Sequence, residues 1–115
     1  METIAGDRRS TRRYAVRLPI HYRCSLRGEL PRTGSGMTVD MSTNGISFRS
    51  RRQLPVGAHI EIAVDWPARA DEAYPVDLQV TGFVVRSDAG RTVARMTSRK
   101  FRVASQAVEP IRQTA

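Results

Sequence analysis

Two polar clusters in the sequence contain the residue types that recognise a guanine nucleotide. The clusters are Arg8-Arg9-Ser10-Thr11-Arg12-Arg13 and, further along the chain, Asp40-Met41-Ser42-Thr43-Asn44-Gly45. An arginine fork matches the paired acceptors on a guanine edge and the oxygens of a phosphate. An Asp/Ser/Gly turn offers hydrogen-bond acceptors and lets a ligand come close to the backbone. Together the two clusters predict a guanine nucleotide site.

The composition is that of one globular domain with a strong positive charge. The 115 residues are 40% hydrophobic and 26% charged, and the formal net charge is +8, which is in the globular range and enough for one modest core. Lys100 is the only lysine among the 19 basic residues. This arginine bias fits a phosphate-bearing partner, and it equally fits GC-rich coding or a need for solubility. Composition leaves these explanations open, so the positions of the arginines must decide between them.

Several functional classes lack support in the sequence. No apolar run approaches the roughly 20 residues that cross a bilayer, and the polar start lacks the apolar region of a signal peptide. We therefore expect a cytoplasmic protein without membrane attachment. Cys24 is the only cysteine, which excludes an internal disulfide, and we assign it to a strand. His21 and His59 have no partners at metal-binding spacing, and no catalytic motif occurs, so neither a metal, a cofactor nor an enzymatic activity is expected.

Alternating hydrophobic residues predict that β-strands carry the polar clusters. Residues 14–22 alternate as one half-buried strand, in which Pro19 favours an edge position or a bulge. After an exposed connection at 27–36, short strands at 37–39 and 46–48 flank the Asp40 cluster as a hairpin. The Asn44-Gly45 pair favours left-handed backbone angles there. The second cluster is therefore predicted to lie in a tight turn.

Later segments continue the strand pattern and complete a small barrel. Strands are predicted at 60–65, at 76–85 with a bulge at Gly82, and at 91–97 after an Ala89-Gly90 turn, with a polar loop at 68–73. The apolar spacing from Val103 to Ile111, limited by Pro110, predicts a short helix or an irregular tail. The expected fold is all-β, a small antiparallel six-stranded β-barrel. Its parts are a flexible arginine-rich arm at 1–13, the barrel at 14–103 and the tail at 104–115.

The two clusters, in this order, resemble the motifs of the PilZ domain, a family of bacterial receptors for cyclic di-GMP. The RxxxR motif is present as Arg9 to Arg13, with Arg13 directly before the first strand, and the Asp/Asn-xSxxG motif is complete as Asp40 to Gly45. Arg8 and Arg12 also satisfy RxxxR. The Arg9 register is favoured because the second arginine of the family motif adjoins the first strand. Further similar stretches at 54–57, 66–67 and 80–86 extend the likeness over residues 8–102.

The resemblance implies a stand-alone receptor that binds cyclic di-GMP and signals to a downstream protein partner. In that role Arg9 and Arg13 grip guanine acceptors and phosphates, while Asp40 accepts from the guanine N1 and N2 donors. Ser42 bonds a base or phosphate, and Gly45 leaves room for the ligand. Arg12, Asn44 and Arg8 are further candidates for contact with the ligand. By the same resemblance, an arginine at the position of Arg8 implies that two intercalated ligand molecules bind. Ligand binding is expected to order the arm, at an entropic cost.

Simpler interpretations stay open beside the receptor. The arginine head is also typical of a solvated basic tail, and Asp40 and Ser42 are typical of plain turn chemistry. The protein is alternatively an adaptor of the same fold that binds no nucleotide, or a basic barrel that binds nucleic acid, although its few aromatic residues disfavour the latter. Trp66 is interpreted as a core or rim residue. Other arginines could extend a positive surface around the site, namely Arg49, Arg51, Arg52, Arg86 and Arg95.

Overall fold

The computed structural model describes residues 13–70 and 74–103, and this part of the chain contains strands and no helix. The strands are β1 (Tyr14–Ala15), β2 (Pro19–Ser25), β3 (Arg32–Met41), β4 (Gly45–Ser50), β5 (His59–Ala70), β6 (Tyr74–Asp88) and β7 (Arg91–Val103). The predicted C-terminal helix or tail and all of the predicted arm except Arg13 lie outside the described residues. The division into arm, barrel and tail therefore stays a prediction.

Six of the strands close into an antiparallel barrel, as predicted. Neighbours follow the order β3-β2-β5-β6-β7-β4, and pairing of β4 with β3 closes the sheet on itself. The two-residue strand β1 is an addition to this barrel and pairs with the end of β3. Closure leaves the backbone donors and acceptors of neighbouring strands paired and removes the open edges of a sheet.

The alternation predicted from the sequence places the apolar side chains inside the barrel. Ile60, Ile62 and Val64 on β5 are 0% exposed, and they face Cys24, Tyr22 and Ile20 of β2 in register. The intervening residues of both strands point outward and are exposed or half-buried. A period of two is what a strand with one buried face requires. The outward positions of these two strands therefore hold mostly charged and polar residues.

The predicted first strand is wrong in one respect, because the chain breaks regular strand structure at Val16–Leu18 and resumes it at Pro19. Proline has no N–H for a strand ladder, so the start of a strand suits it. Thr38 bridges the break: its buried hydroxyl accepts from Leu18 N at 2.8 Å and donates to the Val16 carbonyl at 2.5 Å. The break lets β1 pair with β3 separately from β2, with Ala15 opposite Asp40.

Parts of two segments predicted as connections belong instead to strands, whereas residues 27–31 do lie in the predicted connection between β2 and β3. β3 begins at Arg32, within the predicted loop 27–36, and β5 continues past Trp66-Pro67 to Ala70 with a register shift between Trp66 and Arg69. Gly34 and Gly36, in the strand part of the first segment, serve close packing, whereas Gly28, with a φ of 82°, lies in its turn. A Cβ on Gly34 would lie 2.6 Å from the Tyr22 hydroxyl, and one on Gly36 would collide with the Arg49 carbonyl. Glycine inside a strand often marks such a close approach.

The β6–β7 hairpin has the bulge and the turn predicted for it. The register shifts between Thr81 and Gly82, where an added Cβ would collide with the Arg95 carbonyl. Ala89 and Gly90 join the strands with φ angles of 48° and 79°, which suit a two-residue hairpin turn. The hairpin is longer than expected, since β7 continues to Val103.

Candidate functional site

The second polar cluster contains the turn between β3 and β4, as predicted, but the turn is shorter than expected, because Asp40 and Met41 still belong to β3 and Gly45 begins β4. Its backbone angles also differ from the prediction. Ser42 N donates to the Gly45 carbonyl at 2.8 Å, and the Ser42 hydroxyl accepts from Asn44 N at 3.4 Å and donates to Asn44 Oδ1 at 3.2 Å. Neither Asn44 nor Gly45 has a positive φ, unlike other turn residues of the described chain. The serine hydroxyl and the Ser42–Gly45 bond close this turn without left-handed residues.

The turn is also fastened to β7 through its backbone carbonyls. The Asn44 carbonyl accepts from Met96 N at 3.0 Å, and the Thr43 carbonyl accepts from Arg99 Nη1 at 2.6 Å. Gly45 lies opposite Arg95 in the β4–β7 register. These contacts hold the turn at one place on the outer surface of the barrel.

Asp40 links the two polar clusters of the sequence. Its Oδ1 accepts from Arg13 Nη1 at 2.7 Å, while its Oδ2 lies 3.6 Å from Arg91 Nη2. The Arg13 guanidinium also covers the turn, since its Nη2 would lie 3.9 Å from a Cβ added to Gly45. The structure therefore brings together Arg13, Asp40, Ser42 and Gly45, whereas Arg8, Arg9 and Arg12 lie outside the described residues.

A row of outward side chains runs from Asp40 across four neighbouring strands. Asp40 faces Ser47 of β4, Ser47 faces Val93 of β7, and Val93 faces Arg86 of β6. A cavity of about 270 Å³ lies along this row, which we name the arginine pocket. Its polar lining consists of Arg13, Asp40, Ser47, Arg86, Asp88 and Arg91. Three arginines around two carboxylates give it a surplus of positive charge that suits an anionic ligand.

Arg91 is, with Ser47 and Asp88, one of the polar residues of this pocket that were not predicted from the sequence. Its Nε donates to the Ser47 hydroxyl at 2.8 Å, and Ser47 is only 1% exposed. Neither motif spacing nor charge distinguishes Arg91 from the other arginines of the chain. Only the cross-strand register brings it beside Asp40. Arg86, one of the arginines predicted to extend the positive surface, lines the pocket, whereas Arg49, Arg51, Arg52 and Arg95 do not.

The opposite side of the turn borders an apolar groove of about 510 Å³. Its lining includes Tyr14, Met41, Thr43, Trp66, Met96 and Phe101. Trp66 is half-buried, packs against the core, and meets the Phe101 ring edge-to-face at 5.3 Å. The prediction that it is a core or rim residue is thus confirmed. The turn separates a positively charged surface from an apolar one.

Buried ionisable groups in the described chain lie away from the arginine pocket. Burial raises the pKa of Cys24, which lies inside the barrel on β2 as expected for a strand residue. Burial likewise raises the pKa of Asp77, although Arg102, at 3.8 Å, acts in the opposite direction. Within residues 13–70 and 74–103, no group of three or more His, Cys, Asp or Glu side chains is placed to hold a metal ion. The same residues include no helix long and apolar enough to cross a membrane.

Comparison with known proteins identifies a family. The sequence model of the family described as PilZ domain matches residues 7–108, which includes both polar clusters and every described strand. No curated protein and no solved structure matches the chain significantly.

Proposed function

Because the chain belongs to the PilZ domain family, we propose that it binds cyclic di-GMP between its arginine arm and the Asp40–Gly45 turn. The family consists of receptor-type domains for this nucleotide, which are binding rather than catalytic modules. The observation that carries the proposal is the 2.7 Å contact of Arg13 with Asp40. It joins the last residue of one motif to the first residue of the other.

The chemistry of the pocket suits a guanine nucleotide with two phosphates. Asp40 supplies the acceptors for guanine N1–H and N2–H, and Arg13 supplies a fork for guanine O6 and N7 or for phosphate. Arg86 and Arg91 add positive charge along the same row. In this arrangement Ser42, whose hydroxyl bonds within its own turn, shapes the site, while Arg9 and Arg8 extend it from the arm.

The Arg13–Asp40 contact is weak enough for a ligand to replace. The Arg13 side chain is 50% exposed, and an exposed ion pair contributes roughly 0 to 1 kcal/mol. A charge-assisted hydrogen bond to a desolvated ligand contributes roughly 1.5 to 3 kcal/mol. Arg13 therefore gains by turning from Asp40 to the nucleotide, and Asp40 is released to the guanine.

Movement of Arg13 offers a route from ligand to partner. Arg13 directly precedes β1, a strand of two residues that pairs with Asp40 and Met41 of β3. A change in the Arg13 contact would act on β1 and on the arm before it, at the entropic cost of ordering the arm. The surface presented to a downstream protein partner would change in consequence.

Titration calorimetry with cyclic di-GMP tests the proposal. We expect binding by the wild-type chain, with two nucleotides per chain if Arg8 supports an intercalated pair. Arg13→Ala and Asp40→Asn should each weaken it about tenfold or more, the scale of one charged hydrogen bond. Arg27→Ala is the matched control, because Arg27 is exposed in the β2–β3 connection at the other end of β3. It removes the same charge far from the turn and should leave affinity unchanged.

Two other outcomes would assign the chain differently. Absence of heat at high micromolar cyclic di-GMP would favour the adaptor that binds no nucleotide. Equal binding of cyclic di-AMP and of oligonucleotides, with a steep dependence on salt, would favour a general nucleic-acid binder. Selective binding of cyclic di-GMP over cyclic di-AMP is the result expected from Asp40, since adenine does not present guanine's N1 and N2 donors.

A further inference from the structure

Arg91 lies outside both sequence motifs, yet it contacts the same carboxylate as Arg13. We propose that Arg91 is a positioning residue of the cyclic di-GMP site, which holds the Asp40 carboxylate in place while Arg13 turns to the ligand. This inference rests on the proposed function and assigns a separate task to each arginine.

The strand register places Arg91 beside Asp40. Asp40 of β3, Ser47 of β4 and Val93 of β7 lie side by side on the outer face, and Arg91 points outward two residues before Val93. Its side chain extends along this row toward Ser47 and Asp40. Arg91 Nε donates to the Ser47 hydroxyl at 2.8 Å, and Nη2 lies 3.6 Å from Asp40 Oδ2. Two contacts of one planar group fix its orientation.

The two arginines around Asp40 are held very differently. Arg13 precedes a two-residue strand that pairs with the end of β3, whereas Arg91 begins a strand of 13 residues and pairs with both Arg49 and Asp88. Their side chains are about equally exposed, at 50% and 49%. The Arg91 guanidinium also has the nearly buried Ser47 hydroxyl as its partner. Arg91 is therefore the fixed cation and Arg13 the exchangeable one.

The arginines approach different oxygens of the carboxylate. Arg13 donates to Oδ1 and Arg91 approaches Oδ2. When Arg13 leaves, Oδ1 becomes free to accept from guanine, while Oδ2 remains next to a positive charge. Each carboxylate oxygen has two acceptor sites, so Oδ2 can accept from guanine and from Arg91 together. The carboxylate thus keeps its orientation when the ligand binds.

Other charged groups near Arg91 do not replace this role. Asp88 faces Arg91 across the β6–β7 hairpin, and its carboxylate lies 3.9 Å from the Arg86 guanidinium. Arg49 faces Arg91 from β4, and its side chain does not line the pocket. Among the arginines of the described β4 and β7 strands, Arg91 is the one whose guanidinium contacts Asp40.

A double-mutant cycle on affinity for cyclic di-GMP tests whether Arg91 acts through Asp40. Arg91→Gln should weaken binding by the wild-type chain about fivefold, the upper end of the range for an exposed ion pair. Introduced into Asp40→Asn, it should weaken binding by less than about twofold, because residues that act together are not additive. Ser47→Ala should weaken binding in the same direction by a smaller factor. Arg49→Gln is the matched control for loss of one charge and should have no effect.

A second ligand supplies a readout that a structural role would not change. Cyclic di-inosine monophosphate lacks the guanine 2-amino group, so the wild-type preference for cyclic di-GMP measures the contact of that group with Asp40. Arg91→Gln should reduce this preference toward that of Asp40→Asn. Arg91→Lys should not restore it, because an ammonium group lacks the planar fork that reaches both Ser47 and Asp40.

Distinct results would overturn the inference. An equal loss of affinity from Arg91→Gln in the wild-type and Asp40→Asn backgrounds, or an unchanged preference between the two ligands, would show that Arg91 does not act through Asp40. Failure of Arg91→Gln to fold leaves Ser47→Ala to decide by the same two criteria. Absence of cyclic di-GMP binding by the wild-type chain would overturn the proposed function and this inference together.

Discussion

Asp40, near the end of β3, and Ser42, in the turn after it, are two residues apart, yet their side chains have different partners. Ser42 is 7% exposed and bonds to Asn44 and Gly45 of its own turn. Asp40 turns outward and pairs with Arg13 and Arg91. The turn-chemistry interpretation therefore describes Ser42 well, and Asp40 is the motif residue whose contacts most resemble those of a ligand site.

Gly45 offers a test of the site that does not disturb the fold. A Cβ at this position would lie 3.6 Å or more from its nearest neighbours, and the backbone φ is not positive. We expect Gly45→Ala to change the free energy of unfolding by less than about 0.5 kcal/mol. The methyl would project beside the Arg13 guanidinium and should weaken cyclic di-GMP binding about tenfold or more, the loss of one charged contact.

Calorimetry with the nucleotide, combined with urea denaturation of the same samples, checks both parts of this prediction. Unchanged affinity in a stably folded Gly45→Ala variant would show that the ligand does not approach the backbone at this turn. A large loss of stability would instead show that the glycine serves the barrel.

At the scale of elements, patterns that are local in sequence predicted more than contacts that depend on strand register. Period-two alternation correctly identified the buried faces of β2 and β5, and a turn was correctly placed within residues 40–45, although Asp40 and Met41 belong to β3. Gly34 was mistaken for a loop residue, because a turn and a close strand approach use glycine for reasons that look alike in sequence. Arg91 was missed because its meeting with Asp40 depends on the pairing of β3, β4 and β7. Such pairing leaves no periodic signal along the chain.

Gly82 lies where two strands approach closely, and, unlike Gly45, it has no room for a side chain. A Cβ on Gly82 would collide with the Arg95 carbonyl of β7, which is backbone and cannot rotate away. We expect Gly82→Ala to separate β6 from β7 locally and to destabilise the fold by about 1 to 3 kcal/mol or more. Chemical denaturation followed by circular dichroism measures this loss.

The neighbouring substitution Thr81→Ala is the control for the Gly82 prediction. It alters a half-buried side chain in the same bulge without adding atoms, so its effect on unfolding should be smaller. A Gly82→Ala variant with the wild-type unfolding midpoint would show that β6 and β7 do not need the close approach.

At the scale of the molecule, barrel closure is what assembles the candidate site. Arg13 directly precedes β1, the second polar cluster joins β3 to β4, and Arg91 begins β7. The described part of the site therefore needs the β3–β4 and β4–β7 pairings together. Loss of the barrel would separate all three parts. The stability of the barrel, including its dependence on pH, therefore bears directly on ligand binding.

Asp77 provides the clearest pH dependence of that stability. Burial raises its pKa above the ordinary value of 3.8, and this outweighs the opposing effect of Arg102. A carboxyl whose pKa is higher in the folded chain favours folding when protonated, and this contribution is lost as the pH rises through the folded pKa. Asp77→Asn removes the cost of burying the charge. Its free energy of unfolding relative to wild type should therefore increase between pH 3 and pH 7.

Urea denaturation of wild type and Asp77→Asn at both pH values measures this difference, with Glu61→Gln as the control for loss of one exposed negative charge on the neighbouring strand. A difference that decreases toward pH 7 would mean that pairing with Arg102 outweighs burial. Asp77 would then stabilise the barrel as a carboxylate. The expected increase would instead mean that the pair, with 3.8 Å between its charged atoms, only partly offsets the cost of burying the carboxylate.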